Sequence, residues 1–261
     1  MFFHRDIKGN KLPPKVLSLT YDDGPGQPGS DGAGANTREL GRFLFEEGIP
    51  ATFFVVGRHA EGLSSLLGQL RDWGHLIGNH TYSHPGLVAA VQTGADIIGE
   101  IARTDRIIGN YVARSTRFLR APYGNWREKK GPDSNEDDPF SVVADILNRS
   151  AQFPHYVGPM NWDISAADYD YWKRAAPATE CARAYLDKIE RIGRGIILMH
   201  DSSEEPEVRQ RNRSLQTTKI LVPRLKEKGY RFVRLDAIPQ VKSAVRVSSQ
   251  IAAGFRLPRL V

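Results

Sequence analysis

The amino-acid sequence predicts an α/β fold in which a parallel sheet is covered by helices. Seven short apolar or β-branched runs indicate buried strands, and most of the gaps between them carry the periodicity of amphipathic helices. Alternating strands and helices indicate parallel pairing through crossover connections. In a chain of 261 residues, seven such units suit a closed barrel. A doubly wound open sheet is the alternative, because strand periodicity does not report closure.

The predicted elements follow one another in a regular order. Strands are expected at residues 15–21, 51–57, 75–79, 116–121, 156–162, 195–200 and 231–236. A first helix is expected around Asn36, where the run Asn-Thr-Arg-Glu resembles a capping box. Further helical patterns occupy residues 94–109, 141–149, 177–193 and 214–229. Two long loops, 24–36 and 124–139, leave the carboxyl ends of strands, which is the side where barrel enzymes place their chemistry.

The bulk composition is that of an ordinary globular protein, with 40% hydrophobic and 25% charged residues. No apolar run approaches the length of a membrane span, and the N-terminus lacks the apolar core of a signal peptide. These features predict a cytoplasmic protein, or a secreted one whose leader has been removed. The net charge of +6 admits an anionic partner, but the basic residues are spread along the chain, so no nucleic-acid partner is expected. The sequence does not report the oligomeric state.

Two adjacent carboxylates, Asp22 and Asp23, follow the first predicted strand. Like charges repel, and burying either one costs free energy unless a partner compensates. Turn chemistry accounts for Gly24 and Pro25, but it does not account for two acids that abut an apolar strand. A bound cation would supply the compensation, so the pair is a candidate for metal binding.

His80 and His84 follow the third predicted strand, and two ordinary surface histidines are the alternative interpretation. Pro85 disfavours a continuing helix, so a short loop is expected to turn both imidazoles toward one cation. Since the acidic pair and the histidines both follow strand ends, they are expected on the same face of a parallel barrel. One aspartate and two histidines leave a position open for water, as in catalytic zinc sites, and the second aspartate can then act as a base.

Five short motifs occur in the order typical of one enzyme family. They are Thr-Tyr-Asp-Asp-Gly-Pro (20–25), His-Thr-Tyr-Ser-His (80–84), Arg-Ala-Pro-Tyr (120–123), the region around Asn-Trp-Asp-Ile-Ser-Ala-Ala-Asp-Tyr (161–169) and Leu-Met-His (198–200). The chain therefore resembles a polysaccharide deacetylase of carbohydrate esterase family four. The resemblance spans about Lys15 to Ile238. It implies a single domain, 15–239, folded as a distorted (β/α)7 barrel between an N-terminal extension, 1–14, and a C-terminal tail, 240–261.

The resemblance implies metal-dependent hydrolysis of the N-acetyl group of N-acetylglucosamine-containing glycans, with release of acetate. Asp23, His80 and His84 would hold the metal ion. Zinc is the expected ion for this donor set, and cobalt or nickel can replace it. Asp22 would act as the base, and Arg120 would pair with it, because a nearby opposite charge favours the ionised carboxylate.

The resemblance also implies roles around the substrate. The backbone N–H of Tyr123 would help to hold the oxyanion, and His200 would protonate the leaving amine. Leu198, Trp162 and Tyr123 would line the substrate pocket. Two alternatives to a glycan deacetylase are an enzyme of this fold that acts on a non-sugar amide, and a non-catalytic glycan-binding domain.

The fourth motif departs from the family pattern. Ser165 stands where the family commonly has the acid that orients the general-acid histidine. Asp163 or Asp168 can take that role, and Asp163 is favoured because it lies nearest the end of the predicted strand. Tyr169 stands where the family pattern has a tryptophan.

Some other residues that could carry chemistry have structural explanations. Trp126 can stack on a sugar ring or can anchor its own loop. The single cysteine, Cys181, excludes an internal disulfide and recurs with Tyr185 at helical spacing, so it is predicted to be a core residue. Four histidines have no partner motif and are assigned to structure or surface: His4, His59, His75 and His155.

Overall fold

Parallel strands form the centre of the molecule, and the computed structural model describes residues 1–26, 32–113, 115–131 and 136–252. Within these residues the strands are β1 (Phe2–Ile7), β2 (Val16–Asp22), β3 (Ala51–Val55), β4 (Leu76–Asn79), β5 (Arg117–Phe118), β6 (Tyr156–Met160), β7 (Gly195–His200) and β8 (Arg231–Phe232). Strands β2 to β8 correspond to the seven predicted strands, several of them shorter than expected.

Helices connect most of the successive strands. They are α1 (Ala35–Glu46), α2 (Gly57–Ala60), α3 (Ser64–Asp72), α4 (Leu87–Gln92), α5 (Ile97–Ile108), α6 (Val142–Arg149), α7 (Asp168–Lys173), α8 (Ala178–Ile192), α9 (Pro206–Gln210), α10 (Ser214–Glu227) and α11 (Pro239–Ala252). Short 3-10 helices occur at Pro122–Gly124 and Leu235–Ala237. Parts of the two predicted loops, 27–31 and 132–135, lie outside the described residues. Across the described ranges, no helix combines the length and the apolar content needed to cross a bilayer.

The strands form two parallel sheets that join into a distorted barrel. One sheet has the order β4-β3-β2-β7, with β8 also paired to β2, and the other has the order β1-β6-β5. A parallel bridge between Asn79 and Leu119 joins β4 to the residues after β5. A second bridge, between Ile164 and Ile197, joins the residues after β6 to β7. The ring of strands therefore closes, which confirms the predicted α/β barrel and excludes the open, doubly wound sheet.

The register of the strands brings the chemistry-bearing residues to one edge of the barrel. Asp22, the last residue of β2, lies opposite His200, the last residue of β7. Val55 of β3 lies opposite Asn79 of β4. The backbone N–H of Arg120, just after β5, donates to the carbonyl of Asn79 at 3.1 Å. Because the strands are parallel, the residues that follow them emerge at this same edge.

Both ends of the described chain pack against the barrel. Strand β1 lies within the predicted N-terminal extension and pairs with β6, where Phe2 faces Gly158. Phe2 is buried and stacks on Tyr156, with 5.8 Å between the ring centroids. Helix α11 lies largely within the predicted C-terminal tail, and its Val241 is fully buried. The sequence did not reveal β1 because polar residues separate its apolar ends. The domain boundaries themselves stay a prediction.

The largest part of the core lies between the sheet around β2 and the helices α8 and α10. Phe53 and Ile197 are among its buried strand residues, and Cys181 and Tyr185 are among those of α8. Cys181 has no exposed surface, which confirms its prediction as a core residue. This packing holds the strands against the surrounding helices and leaves the carboxyl ends of the strands available for the candidate site.

Candidate active site

Three side chains converge beyond the carboxyl ends of β2 and β4. The ligand atoms of Asp23, His80 and His84 all lie within 4.8 Å of one another. The Oδ1 atom of Asp23 is 3.4 Å from Nε2 of His80 and 3.1 Å from Nε2 of His84. Each of the three residues is at most 9% exposed. The structure thus brings together the three residues that the sequence predicts as metal ligands.

The backbone around these side chains adopts a conformation that most residues avoid. Asp23, Thr81 and His84 have φ angles of 73°, 68° and 63°, in the left-handed region. The side chain of Asn79 accepts a hydrogen bond from the N–H of Thr81 at 2.8 Å and so supports the first of the two strained loop residues. Such residues persist only where surrounding contacts hold them, and they cluster at functional sites.

The donor set fits a divalent transition metal. Nδ1 of His80 donates to the carbonyl of Arg120 at 2.9 Å, so the ring presents Nε2 to the other ligands. Burial by itself would raise the pKa of Asp23, but hydrogen bonds from His80 and His84 outweigh it and hold that pKa well below its usual value. One ionised carboxylate and two imidazole nitrogens are the three-residue set that leaves a coordination position free in catalytic zinc sites.

Asp22 and Arg120 form a buried ion pair beside this donor set. Nη1 of Arg120 donates to Oδ1 of Asp22 at 2.7 Å and to the hydroxyl of Thr20 at 2.8 Å. The guanidinium carbon lies 4.2 Å from the ring centroid of Phe54, and Arg120 has no exposed surface. The other carboxylate oxygen of Asp22 is 3.6 Å from Nε2 of His80. Arg120 therefore fixes one oxygen of Asp22 and leaves the other facing the metal ligands.

His200, the register partner of Asp22 on the neighbouring strand, is held by Asp168. Nδ1 of His200 donates to Oδ1 of Asp168 at 2.7 Å, and the His200 backbone N–H donates to Oδ2 at 2.8 Å. Burial would lower the pKa of His200, but the charge and hydrogen bond of Asp168, with the charges of Asp23 and Asp22, raise it to about 10. Ala167, with φ of 55°, turns the chain so that Asp168 begins α7.

The prediction that Asp163 orients His200 is therefore wrong. Oδ2 of Asp163 instead accepts from the N–H of Gly9 at 2.7 Å and from the N–H of Ile196 at 2.8 Å. Ile196 lies near the start of β7, whereas His200 is its last residue. A Cβ on Gly195 would lie 2.6 Å from the Cβ of Asp163, so the carboxylate packs tightly against that strand start. The sequence favours Asp163 because it lies near the end of β6, but its side chain packs at the start of β7 and not at the end that carries His200.

The first half of the chain matches a known family. The profile described as polysaccharide deacetylase matches residues 9–137, a range that includes the acidic pair, both metal-side histidines and Arg120. The chain belongs to the polysaccharide deacetylase family. The remaining part of the candidate site, around His200, lies beyond the matched residues.

Over most of its length the chain is also similar to named members of this family. It is 25% identical over 224 residues to a peptidoglycan-N-acetylglucosamine deacetylase of Bacillus cereus, which covers 86% of this chain and 68% of that protein. It is 28% identical over 218 residues to a chitooligosaccharide deacetylase of Sinorhizobium fredii, which covers 81% of this chain and 86% of that protein. A crystal structure of the Bc1960 peptidoglycan N-acetylglucosamine deacetylase matches with a TM-score of 0.66 at 24% identity, over 90% of this chain and 92% of that one. The chain thus has the distorted (β/α)7 barrel of the family.

In this polysaccharide deacetylase, Tyr123 lies beside His84, and Trp162 packs against the loop residue that follows Tyr123. Tyr123 has φ of 60° and a side chain that is 71% exposed, and its ring meets the ring of His84 at 66° with 4.7 Å between centroids. A Cβ on Gly124 would lie 2.7 Å from Trp162, so the glycine lets the indole pack directly beneath the loop. Leu198, two residues before His200 on β7, is 5% exposed.

Trp126 anchors its loop and is not available to a sugar. It is 1% exposed, and its indole N–H donates to the carbonyl of Phe3 at 2.9 Å. Of the two interpretations that the sequence allows, stacking on a sugar is therefore wrong. The exposed aromatic ring on this loop belongs to Tyr123.

His59 is a site residue that the sequence did not single out for function. It is 3% exposed, and its Nδ1 donates to the backbone carbonyl of Asp23 at 2.9 Å. Its Nε2 lies 3.3 Å from Oε1 of Glu204, which also pairs with Arg58. His59 thus holds the strained backbone of a metal-side residue. No local signal announces this contact, because a lone histidine in a helical pattern has no partner in sequence.

The capping box predicted at Asn36 is wrong, because the side chains of Asn36 and Thr37 bind Asp201, the residue that follows β7. The amide of Asn36 donates to the carbonyl of Asp201 at 2.7 Å, and the hydroxyl of Thr37 donates to the Asp201 carboxylate. Burial raises the pKa of Asp201 to about 7 against the effect of the Thr37 hydrogen bond, and the charges of Asp23 and Asp22 raise it further.

Proposed function

We propose that this protein is a metal-dependent N-deacetylase that removes the acetyl group from N-acetylglucosamine-containing glycans and releases acetate. The observation that carries the proposal is the arrangement of two supported groups around one donor set. Asp22 is held by Arg120 and His200 is held by Asp168, and both lie at the barrel edge that carries Asp23 and its histidines. The names of the relatives, which act on peptidoglycan and chitooligosaccharides, support the choice of substrate class.

Asp22 is the proposed base of the reaction. A divalent metal held by Asp23, His80 and His84 would polarise the acetamide carbonyl and acidify a water molecule. Asp22 accepts the proton of the attacking water through the oxygen that Arg120 leaves free. Because Arg120 is itself buried and paired, it keeps that carboxylate oriented throughout the cycle.

His200 is the proposed acid. Collapse of the tetrahedral intermediate requires a proton on the amine nitrogen, since an unprotonated amine anion is a very poor leaving group. The raised pKa of His200 keeps the imidazolium charged at neutral pH, and Asp168 directs Nε2 away from itself by occupying Nδ1. The backbone N–H of Tyr123 is the proposed protein donor to the oxyanion.

A cleft that Tyr123 helps to line supports a glycan substrate. It has a volume of about 670 Å³, and its lining includes Tyr123, Asn161, Gln92 of α4 and Asp6 of β1. The lining is mainly polar. Trp162 and Leu198 are the proposed apolar contacts for the acetyl group. A polar cleft next to Tyr123 suits the hydroxyl-rich surface of neighbouring sugar units.

The test combines metal loading with acetate release. Metal-free protein is reloaded with zinc, the proposed ion, or with cobalt or nickel, and is incubated with N-acetylated chitin oligomers and with peptidoglycan. We expect acetate from at least one glycan, loss of this activity with a chelator, and recovery with added metal. Metal uptake without acetate from any glycan would favour a non-sugar amide substrate, and glycan binding without turnover would favour a binding domain. Failure to take up any of the three metals would overturn the proposal.

A further inference from the structure

We propose that Glu100 is a positioning residue that sets the affinity for the metal ion by clamping the loop between His80 and His84. The inference rests on the proposed metal-dependent function. Glu100 belongs to none of the five family motifs, and it lies in the first turn of α5. Its carboxylate touches no ligand side chain, so any role in the reaction acts through the loop.

The carboxylate of Glu100 binds the middle of this loop at three points. Oε2 accepts hydrogen bonds from the N–H of Tyr82 at 3.0 Å and from the N–H of Ser83 at 2.7 Å. Oε1 accepts from the hydroxyl of Ser83 at 2.8 Å. All three donors lie between the two histidines. Hydrogen bonds to an ionised acceptor are the stronger kind, so one side chain fixes the conformation of two consecutive loop residues.

The loop needs such support because its backbone is strained at both ends. Thr81 and His84, on either side of the residues that Glu100 holds, both have left-handed φ angles. Asn79 binds the N–H of Thr81, and Gly57 N–H donates to the carbonyl of Thr81 at 2.9 Å, so the first strained residue is fixed from β4 and α2. Among the described residues, Glu100 is the side chain that receives the next two N–H groups.

The geometry explains how the clamp would act on metal binding. The direction of the His84 imidazole follows from the backbone of the residue before it, and Ser83 is held by two of the three bonds to Glu100. Without the clamp, the segment between the ligands can leave its strained conformation when no metal is bound. Metal binding would then have to restore that conformation, and this cost weakens affinity without changing any ligand.

Glu100→Met is the sharpest substitution, because it keeps the length of the side chain and removes both carboxylate oxygens. A glutamine could keep all three contacts, since its amide oxygen can accept from the N–H groups of Tyr82 and Ser83 and its NH2 group can donate to the Ser83 hydroxyl, whereas a thioether is only a weak acceptor. Asp96→Ala is the matched control on the same helix. Asp96 caps α5 by accepting from Gly99 N–H at 2.8 Å, so its loss shows how much a weakened helix start by itself lowers metal affinity.

The experiment measures zinc affinity of metal-free protein by competition with a chelator. For Glu100→Met we expect zinc to bind about 10- to 100-fold more weakly, the range seen when outer partners of metal ligands are removed. For Asp96→Ala we expect less than about a twofold change. Turnover at saturating zinc should stay within about threefold of wild type for both variants, because no group that touches substrate is altered. Amide exchange of Tyr82 and Ser83 should accelerate in metal-free Glu100→Met, which lacks the acceptor of both N–H groups.

The outcomes separate this inference from the proposed function. Zinc affinity of a folded Glu100→Met protein within about twofold of wild type would overturn the clamp, whatever the activity. If that variant does not fold, Ser83→Ala replaces it. Ser83→Ala removes one of the three hydrogen bonds to Glu100 and should lower the affinity for zinc about threefold. An unchanged zinc affinity in this variant would again overturn the clamp. Failure of the wild-type protein to bind zinc would overturn the proposed function and the inference together.

Discussion

The two sides of the candidate active site are built in opposite ways. On the metal side, His80 and His84 lie four residues apart in one loop, and their carboxylate partner directly follows β2. On the side of the proposed acid, His200 is held by Asp168, which is 32 residues away in sequence and begins helix α7. One side is thus assembled by local spacing, and the other by the packing of distant segments.

This difference teaches which parts of a site tolerate relocation in sequence. Two ligands on one strained loop must keep their spacing, because the backbone fixes where each imidazole points. An acid that only has to reach Nδ1 of His200 can be supplied from several positions, provided that the fold presents a carboxylate there. In this chain Asp168 does so, and Ser165, where the family commonly has the acid, binds the N–H of Ala167 at 3.1 Å.

Asp22→Asn should give the largest effect, and it tests the boundary between the two sides. We expect turnover to fall by about 10³-fold, since a general base is lost, while zinc affinity stays unchanged because Asp22 is outside the three-ligand cluster. Acetate release and a chelator competition measure the two quantities. Thermal unfolding is followed in parallel, because Arg120 loses its buried partner. Acetate release at the wild-type rate would remove Asp22 from the mechanism.

Asp168→Asn should give the next largest loss of turnover, and it should affect the proposed acid, His200, without affecting metal binding. We expect turnover to fall by about 10²-fold with normal zinc affinity. The sign of the pH effect follows from its cause. Asp168 raises the pKa of His200, so its neutralisation lets burial lower that pKa, and activity is lost at a lower pH than in wild type. A kcat–pH profile and histidine NMR titration measure the shift.

Asp163→Asn is the control for that prediction. The amide oxygen of asparagine can still accept from the N–H groups that Asp163 binds, so we expect a pH profile like that of wild type. A shifted profile in Asp163→Asn with an unshifted one in Asp168→Asn would reverse the assignment made from the structure.

The same contrast explains how much of the protein the sequence predicts. The barrel and the metal side follow from periodicity and short motifs, because strand patterns and the spacing of His80 and His84 are local. The acid that supports His200 could not be chosen from spacing, since both Asp163 and Asp168 lie just after β6. Only the left-handed turn at Ala167 and the pairing of Ile164 with β7 decide between them.

Contacts between distant segments were missed for the same reason. The three hydrogen bonds of Glu100 and the bond from His59 to Asp23 join residues that are far apart in sequence. Strand β1 was missed because its pairing with β6, rather than its own pattern, makes it a strand. Residues that act through the backbone of others therefore leave little trace in a single sequence.

His59→Gln should give a moderate effect and sharpen the contrast on the metal side. The amide nitrogen of glutamine falls near the position of Nε2, and that of asparagine falls near Nδ1, the atom that donates to Asp23. We expect His59→Gln to lower the affinity for zinc about tenfold and His59→Asn to lower it by less than about threefold. Chelator competition on both variants measures this. Equal losses in both would show that the imidazole contributes packing alone.

Asp201→Asn should have the smallest effect on turnover. Asp201 connects the two sides of the site through its backbone N–H, which the substitution leaves in place. The N–H of Asp201 donates to the carbonyl of Asp22 at 3.1 Å, and a Cβ on Gly24 would lie 2.2 Å from Oδ2 of Asp201. Asparagine keeps the shape and the acceptor for Thr37, so we expect turnover within about twofold of wild type at pH 7. A larger loss would mean that the carboxyl group itself takes part in the chemistry.

The effect of Asp201→Asn should appear instead in the pH dependence of stability. Burial raises the pKa of Asp201 from 3.8 to about 7, so the folded protein binds a proton that the unfolded chain releases. The stability that this proton contributes is fully present below about pH 4, is lost as the pH rises to about 7, and stays lost above that pH. Asparagine has no such loss, so metal-free Asp201→Asn should become the more stable protein by up to about 4 kcal/mol near pH 8. Urea unfolding at pH 4 and pH 8 measures the difference, and parallel curves for the two proteins would mean that this carboxyl group is already ionised in the folded state.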